Sequence, residues 1–419
     1  MNKFETVSIV GLGYIGLPTA AMFASRKINV IGVDVNQSAV DTINSGSIHI
    51  EEPDLEAVVY SAVSKGHLRA VTTPESSDAF LIAVPTPFKH QSNDQHIPDL
   101  DYIQSASKSI AKVLKKGDLV ILESTSPVGA TDQMAKWLAA ARPDLSFPQQ
   151  AGSQSDIRIA YCPERVLPGH VLRELVENDR VIGGMTPKCS QLASELYKTF
   201  VMGECVITDA RTAEMCKLTE NSYRDVNIAF ANELSLICDR LQINVWELIK
   251  LANRHPRVNI LQPGPGVGGH CIAVDPWFIV HSAPQEAQLI KVAREVNDHK
   301  PHYIVKAISE KAKGLNEPVI ACLGLAFKPD IDDLRESPAM EIVHMLAKNN
   351  IGKLLVVEPH VPALPESLIG SSGIEFVECL DAIERSNIVV LLVNHGAFNQ
   401  ITKTHLEGKI VIDTRGSLQ

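Results

Sequence analysis

Short apolar runs alternate along the chain with stretches whose apolar residues recur at helical spacing. Thr6 to Val10 reads as a strand, Leu17 to Ser25 as a helix and Val30 to Asp34 as a second strand, with Gly11-Leu12-Gly13-Tyr14-Ile15-Gly16 turning the chain between the first two. This is a complete βαβ unit. Further apolar runs follow at Ala79 to Val84, Leu119 to Leu122, Arg158 to Tyr161 and Arg180 to Ile182. Strands without polar alternation suit a parallel sheet that helices cover on both faces. From about Arg211 to Asn253 the period changes, and Phe230, Leu234, Ile237 and Leu241 fall on one helix face. Strand-like runs resume at Val319 to Leu325, Leu354 to Val357, Ile388 to Val393 and Ile410 to Asp413, after the polar stretch 311–317 and Pro318. The pattern predicts an α/β protein with two doubly wound, Rossmann-like domains joined by a long central helical section. We place the divisions at 1–205, 206–310 and 311–419, with a ligand cleft expected where the α/β domains meet.

Composition narrows the classes. Over 419 residues, 45% are hydrophobic and 21% charged, which is ordinary globular usage. Lys plus Arg number 39 against 49 Asp plus Glu, and the net charge of −10 disfavours nucleic-acid binding. No apolar run approaches the roughly 18 residues a membrane helix needs, so a soluble, cytoplasmic protein without a membrane partner is expected. The eight cysteines lack metal-site or CxxC spacing; we expect reduced thiols, most of them core packing, and no metal.

The first glycine turn carries the clearest chemistry. Gly11, Gly13 and Gly16 form GxGxxG between a strand and a helix, and Asp34 ends the second strand 18 residues after Gly16. In such a unit the glycines let backbone approach a pyrophosphate at the helix N-terminus, and the acid accepts from a ribose diol. An acid there would repel a 2′-phosphate, so NAD is favoured over NADP, with Tyr14 and Ile15 completing the turn. Val84-Pro85-Thr86-Pro87 and Ser124-Thr125-Ser126-Pro127-Val128-Gly129 follow later strands at the edge where ligands bind. Thr86, Thr125 and Val128 either border the nicotinamide or merely belong to proline-stiffened loops.

A second glycine-rich stretch, Gly264-Pro265-Gly266-Val267-Gly268-Gly269-His270-Cys271, sets one cysteine after a low-bulk loop, with Gly268 beside it for close ligand approach. Cys271 is either a nucleophile toward an aldehyde, its thiol acidified by His270, or one more inert core thiol. Lys217, Asn221 and Arg224, at i, i+4 and i+7, share a helix face that either lines a cleft or is simply solvated. Glu164 and Arg165 follow a strand and offer a carboxylate for water and a guanidinium for an anion. His255, Arg257, Phe327-Lys328 and Arg335 add cations that suggest a nucleotide diphosphate in an otherwise acidic chain.

Taken together these segments resemble the UDP-glucose/UDP-mannosamine dehydrogenase family over essentially the whole length. The resemblance rests on GLGYIGLP (11–18), PTP (85–87), STSPVG (124–129), CPERVLPG (162–169), AEMCKLTENSYRDVNIAFANE (213–233), HPRVNILQPGPGVGGHC (255–271) and GLAFKPDIDDLRESPAM (324–340), in that order. It implies oxidation of a nucleotide sugar at C6 to a carboxylate with two NAD per sugar, the second oxidation proceeding on a thiohemiacetal of Cys271. Lys217 and Asn221 match positions that stabilise an oxyanion or shuttle a proton, while Glu164 and Asp275 match positions that hold water. Arg257 matches a residue reaching the sugar across a homodimer built on the central helix. Phe327 and Lys328 match nucleotide-sugar contacts of the C-terminal domain, and Arg335 a position near NAD.

Two departures bear on the sugar. Pro168 stands where UDP-glucose enzymes typically carry an acid, and His270 precedes the cysteine where they lack one. Arg165, Val166 and His255 instead resemble the branch that oxidises N-acetylhexosamines, and the PERVLPG string (163–169) resembles its manno rather than gluco members, which implies UDP-N-acetyl-D-mannosamine as substrate and a bacterial surface polysaccharide such as enterobacterial common antigen as destination. UDP-N-acetylglucosamine or UDP-glucose is the alternative substrate; a β-hydroxyacid dehydrogenase or an NAD-sensing scaffold without catalysis is a more distant reading.

Overall fold

The computed structural model describes residues 4–89, 96–167, 169–269 and 271–418. It divides into two compact units that meet in sequence after Thr219.

In the first unit eight strands form one sheet: β1 Thr6–Val10, β2 Asn29–Val33, β3 Leu68–Val71, β4 Ala79–Ile82, β5 Leu119–Leu122, β6 Arg158–Tyr161, β7 Arg180–Gly184 and β8 Cys205–Asp209. Their order is β3-β2-β1-β4-β5-β6-β7-β8, so strand order reverses between β1 and β4. β1, β4, β5 and β6 have almost no solvent contact, because one apolar cluster around Leu17, Phe23 and Tyr197 covers one face and a second around Ile103, Met134 and Phe147 covers the other. The expected doubly wound sheet is present with one difference. β7 pairs antiparallel with β6 through Ala160–Gly184 and Tyr161–Gly183, then parallel with β8, so the last two strands run against the other six.

The second unit begins inside the helix Ala210–Leu241 and continues with helices Val245–Ala252, Asp275–Ser282 and Gln288–Ala312. Five parallel strands then follow: β9 Val319–Leu323, β10 Lys353–Val357, β11 Ile374–Phe376, β12 Ile388–Leu391 and β13 Ile410–Asp413, in the order β11-β10-β9-β12-β13. The helical section is not continuous to Asn253, as its periodicity predicts. Gln242 takes a left-handed φ of 58°, and Asn244 caps the next helix by accepting from the amides of Trp246 and Glu247 at 3.0 and 3.1 Å. Nor is the apolar face of Ala210–Leu241 buried within the chain: Phe230 is 51% and Leu241 61% exposed.

Among the described residues no helix is long and apolar enough to cross a membrane. Five cysteines, Cys162, Cys189, Cys238, Cys322 and Cys379, are buried, as core packing requires, whereas Cys271 is exposed.

Candidate active site

Gly11, Gly13, Gly16, Asp34 and Thr86 follow the carboxyl ends of β1, β2 and β4, at the β1/β4 reversal. Gly11 donates its amide to Val33 O at 2.8 Å with φ +92°, and a Cβ on it would lie 2.5 Å from Ala83 O. A Cβ on Gly16 would lie 1.8 Å from Gly11 O, so this glycine closes the helix onto the turn. At Gly13 a Cβ would meet nothing within 4 Å, leaving the backbone open to a ligand. No side chain caps the helix Gly16–Ser25 at Ile15; Leu17 N donates to Gly13 O and Thr19 N to Ile15 O, both at 3.1 Å, so backbone of the turn itself closes the first turn of the helix. Tyr14 is exposed beside it. The Asp34 carboxylate accepts from Leu12 N and Asn36 N, both at 2.9 Å, which fixes it at the rim of the turn. An open glycine at the N-terminus of a helix and a rim carboxylate suit a dinucleotide pyrophosphate and ribose.

The two proline loops are tied together next to this cradle. Thr86 Oγ1 donates to Thr125 O at 2.6 Å, and Ser124 Oγ to Val84 O at 2.7 Å. Val128 is half-buried, and its loop is pinned from below by Glu214, which sequence reasoning missed. The fully buried Glu214 carboxylate accepts from Gly129 N at 2.6 Å and from Thr131 N and Oγ1 at 2.8 and 2.6 Å. Burial raises its pKa, and these donors oppose the rise. Glu214 lies three residues before Lys217, so it anchors the helix that carries Lys217.

Glu164 is buried, accepts from Arg165 N at 2.6 Å and has a carboxylate oxygen 2.7 Å from Arg180. A second buried carboxyl, Glu123, takes a hydrogen bond from Tyr197 at 2.5 Å; burial pushes it up to about 7 against the pull of Arg180. Arg165 reaches Asp179 O at 3.3 Å, and Val166 packs on the apolar cluster of Leu17 and Phe23.

In the second unit the structure joins several predicted residues. Asn221, buried, donates its side-chain amide to Asp275 at 2.5 Å. Asp275 is buried at the start of its helix and donates its backbone amide to Cys271 O at 2.9 Å, which puts the exposed thiol one turn ahead of that pair. The glycine loop before Cys271 lies on residues from far along the chain. A Cβ on Gly268 would come within 2.4 Å of Glu336 O and 2.9 Å of Phe327, and one on Gly269, at φ +84°, within 3.0 Å of the Phe327 ring. Phe327 is thus brought against the loop, and Lys328 Nζ sits 5.7 Å from the centre of its ring. Gly264 N donates to Asn232 at 2.8 Å; Asn232 is held by Asn297, and Asn297 by Asp225, which pairs with the buried Arg294 at 2.6 Å.

Arg224, His255 and Arg257 are exposed, the last two past the end of the Val245–Ala252 helix. Arg335 is exposed and forks onto the neighbouring Asp333 at 2.8 and 2.6 Å. His270 and Pro168 lie outside the described residues. Sequence reasoning also missed Arg415: its guanidinium would be 2.7 Å from a Cβ on Gly264 while its Nε donates to Leu392 O at 3.1 Å. Its only signal was an arginine just past the end of β13.

Comparison with known proteins agrees with both halves. Three profiles of the UDP-glucose/GDP-mannose dehydrogenase family match in order: its NAD binding domain at residues 5–201, its central domain at 211–299 and its UDP binding domain at 321–419. An NDP-N-acetyl-D-galactosaminuronic acid dehydrogenase of Ralstonia nicotianae is 65% identical over 413 residues, covering 99% of this chain and 96% of that protein. A UDP-N-acetyl-D-mannosamine dehydrogenase of Campylobacter jejuni is 66% identical over 401 residues, covering 96% and 98%. The solved UDP-N-acetyl-mannosamine dehydrogenase of S. aureus is 42% identical with a TM-score of 0.86, covering 99% of this chain and 96% of that one. Matched through all three of its parts, the chain belongs to the UDP-glucose/GDP-mannose dehydrogenase family and is an NAD-dependent UDP-sugar dehydrogenase.

Proposed function

We propose that this enzyme oxidises C6 of UDP-N-acetyl-D-mannosamine to the uronic acid in two steps, consuming two NAD per sugar. The observation that carries the reading is the exposed Cys271 thiol, set one turn ahead of the Asn221–Asp275 pair on a loop floored by Phe327. NAD, when bound, accepts a hydride at each oxidation; Gly11, Gly13, Gly16 and Asp34 would hold it.

The chain's own groups do the rest. Lys217 and Asn221 face the C6 oxygen: as the alcohol is oxidised they take up its proton or stabilise its charge. Asp275 accepts one amide hydrogen of Asn221 and leaves the other for that oxygen. Cys271 adds its sulfur to the aldehyde carbon, forming a C–S bond, so the intermediate stays tethered and again carries a hydrogen on C6. The second oxidation yields a thioester. Water oriented by Glu164 and Asp275 adds to it, the C–S bond breaks, and Cys271 leaves as thiolate with the carboxylate product formed. Arg165, Val166, His255, Arg257, Gly268, Phe327 and Lys328 bind the sugar nucleotide in this reading, and Arg335 lies near NAD.

Identity of 66% to a named UDP-N-acetyl-D-mannosamine dehydrogenase supports the manno sugar. A second reading, the galacto epimer, is favoured by the 65% identity to a relative named for N-acetyl-D-galactosaminuronic acid. The exposed Phe230, Ile237 and Leu241 on one helix support a homodimer built on that face. The division of labour follows segments 1–205, 206–310 and 311–419 for NAD, dimer and UDP-sugar, in a cytoplasmic enzyme that supplies a bacterial surface polysaccharide such as enterobacterial common antigen.

The test counts NADH released per sugar consumed with UDP-N-acetylmannosamine and its galactosamine, glucosamine and UDP-glucose counterparts in parallel. Two NADH from the manno sugar alone is expected. Cys271→Ser should abolish complete turnover, and a mutant that still releases two NADH would refute the thiol's role.

A further inference from the structure

The C-terminal sheet repeats the turn that forms the dinucleotide cradle. Gly11 follows β1, takes φ +92° and donates to Val33 O at 2.8 Å; Gly324 follows β9, takes φ +90° and donates to Val357 O at 2.8 Å. Strand order reverses at β1/β4 in one sheet and at β9/β12 in the other. Asp34 accepts from Leu12 N and Asn36 N, and Glu358 from Leu325 N at 2.7 Å and His360 N at 3.0 Å.

The two acids differ in what remains open on them. Asp34 is partly exposed, whereas Glu358 is 3% exposed and also accepts from Ala326 N and pairs with His395 Nε2, both at 3.0 Å. Three of those donors converge on Oε2 and the fourth on Oε1, and the buried carboxylate is not open to a ribose diol. His395 is buried, and its Nδ1 accepts from Asp330 N at 3.0 Å, which fixes the tautomer with the proton on Nε2, directed at Glu358. Asp330, His360 and His395 stand close enough to suggest a cation site, but both ring nitrogens of His395 are already engaged. Glu358 therefore holds one end of the turn at Leu325–Ala326, and His395 holds the other at Asp330. Phe327 and Lys328 lie between these two anchors.

We infer that Glu358 and His395 are positioning residues for the UDP-sugar: the acid that reads a ribose in the first sheet is turned inward in the second, where it sets the loop that presents Phe327 and Lys328. This rests on the reading of Phe327 and Lys328 as nucleotide contacts. Neither positioning residue needs to touch the ligand, so their loss should move UDP affinity and leave NAD affinity and kcat nearly unchanged.

Calorimetric titration of the full-length enzyme with UDP, and separately with NAD, tests this. His395→Phe, which keeps the ring beside Phe398 but deletes both hydrogen bonds, should raise the Kd for UDP roughly tenfold and that for NAD by less than about twofold. His395→Asn, whose carboxamide oxygen can still accept the Asp330 amide, should recover most of the loss. Should His395→Phe fail to fold, Glu358→Gln, which sets an NH2 against one amide donor, is expected to raise the UDP Kd several-fold. Lys328→Met is the reference. If it weakens UDP while the His395 and Glu358 variants do not, the positioning role is overturned and the contact reading survives. If Lys328→Met leaves UDP binding untouched, the contact reading falls and the inference with it. Equal weakening of UDP and NAD in a folded variant would mean a general structural role and would also overturn it.

Discussion

The chain has two glycine-rich loops, and they need glycine for different reasons. In Gly11–Gly16 the crowding atoms are backbone of the turn itself and of the adjacent strand end, Gly11 O and Ala83 O. In Gly264–Gly269 they are Glu336 O, Pro338, Phe327 and Arg415, supplied from the C-terminal part of the chain. The first loop is shaped by its own βαβ unit together with the end of β4, the second by residues that flank the strands of the C-terminal sheet. Within the first loop the glycines divide again, since Gly16 serves packing while Gly13 faces open space.

Alanine substitutions can break that contrast. Gly16→Ala forces a Cβ into Gly11 O, with backbone on both sides of the clash, and should cost at least about 3 kcal/mol, abolishing cooperative folding of the first unit or NAD binding with it. A thermal melt like that of the wild type would show that the turn can open. Gly268→Ala meets one backbone oxygen and two side chains that can yield somewhat, so about 2 kcal/mol is expected. That corresponds to a fall of roughly 4–8 °C in Tm, with loss of UDP affinity and retention of NAD affinity. Equal loss of both ligands would contradict the separation of the two loops. Gly13→Ala meets nothing and should change stability by less than about 0.5 kcal/mol while raising the Kd for NAD tenfold or more, because the methyl fills the approach to the pyrophosphate. Unchanged NAD affinity there would dissociate the opening at Gly13 from the cofactor.

The same contrast explains what could be read from the sequence. The strands buried on both faces, such as Ala79–Ile82 and Leu119–Leu122, are apolar throughout and legible. The strands that were not anticipated, β3, β8 and β11, are sheet edges in which polar residues keep the apolar runs to three residues or fewer. Predicted strands overran at Gly324 and Val393 because hydrophobicity continues into the turn that the backbone has already begun. The GxGxxG cradle and its Asp34 were legible because every member lies within one βαβ unit. Glu214, Arg415 and the Glu358–His395 pair were not, since each acts on backbone tens of residues away, and residue type gives no sign of that. The opposed direction of β7 was hidden for the same reason: a strand's apolar content does not record which way it runs.

Asp34 has a consequence for redesign of coenzyme choice. Exchanging this acid for a small or cationic residue is the usual route to a 2′-phosphate, but here both of its oxygens also brace the turn, one on Leu12 N and the other on Asn36 N. A variant that replaces this carboxylate would at the same stroke release the Gly11–Gly16 turn that it braces. Any NADP-accepting version of this enzyme therefore needs a second change that rebuilds those two acceptors, so selectivity and cradle rigidity are inherited as one trait.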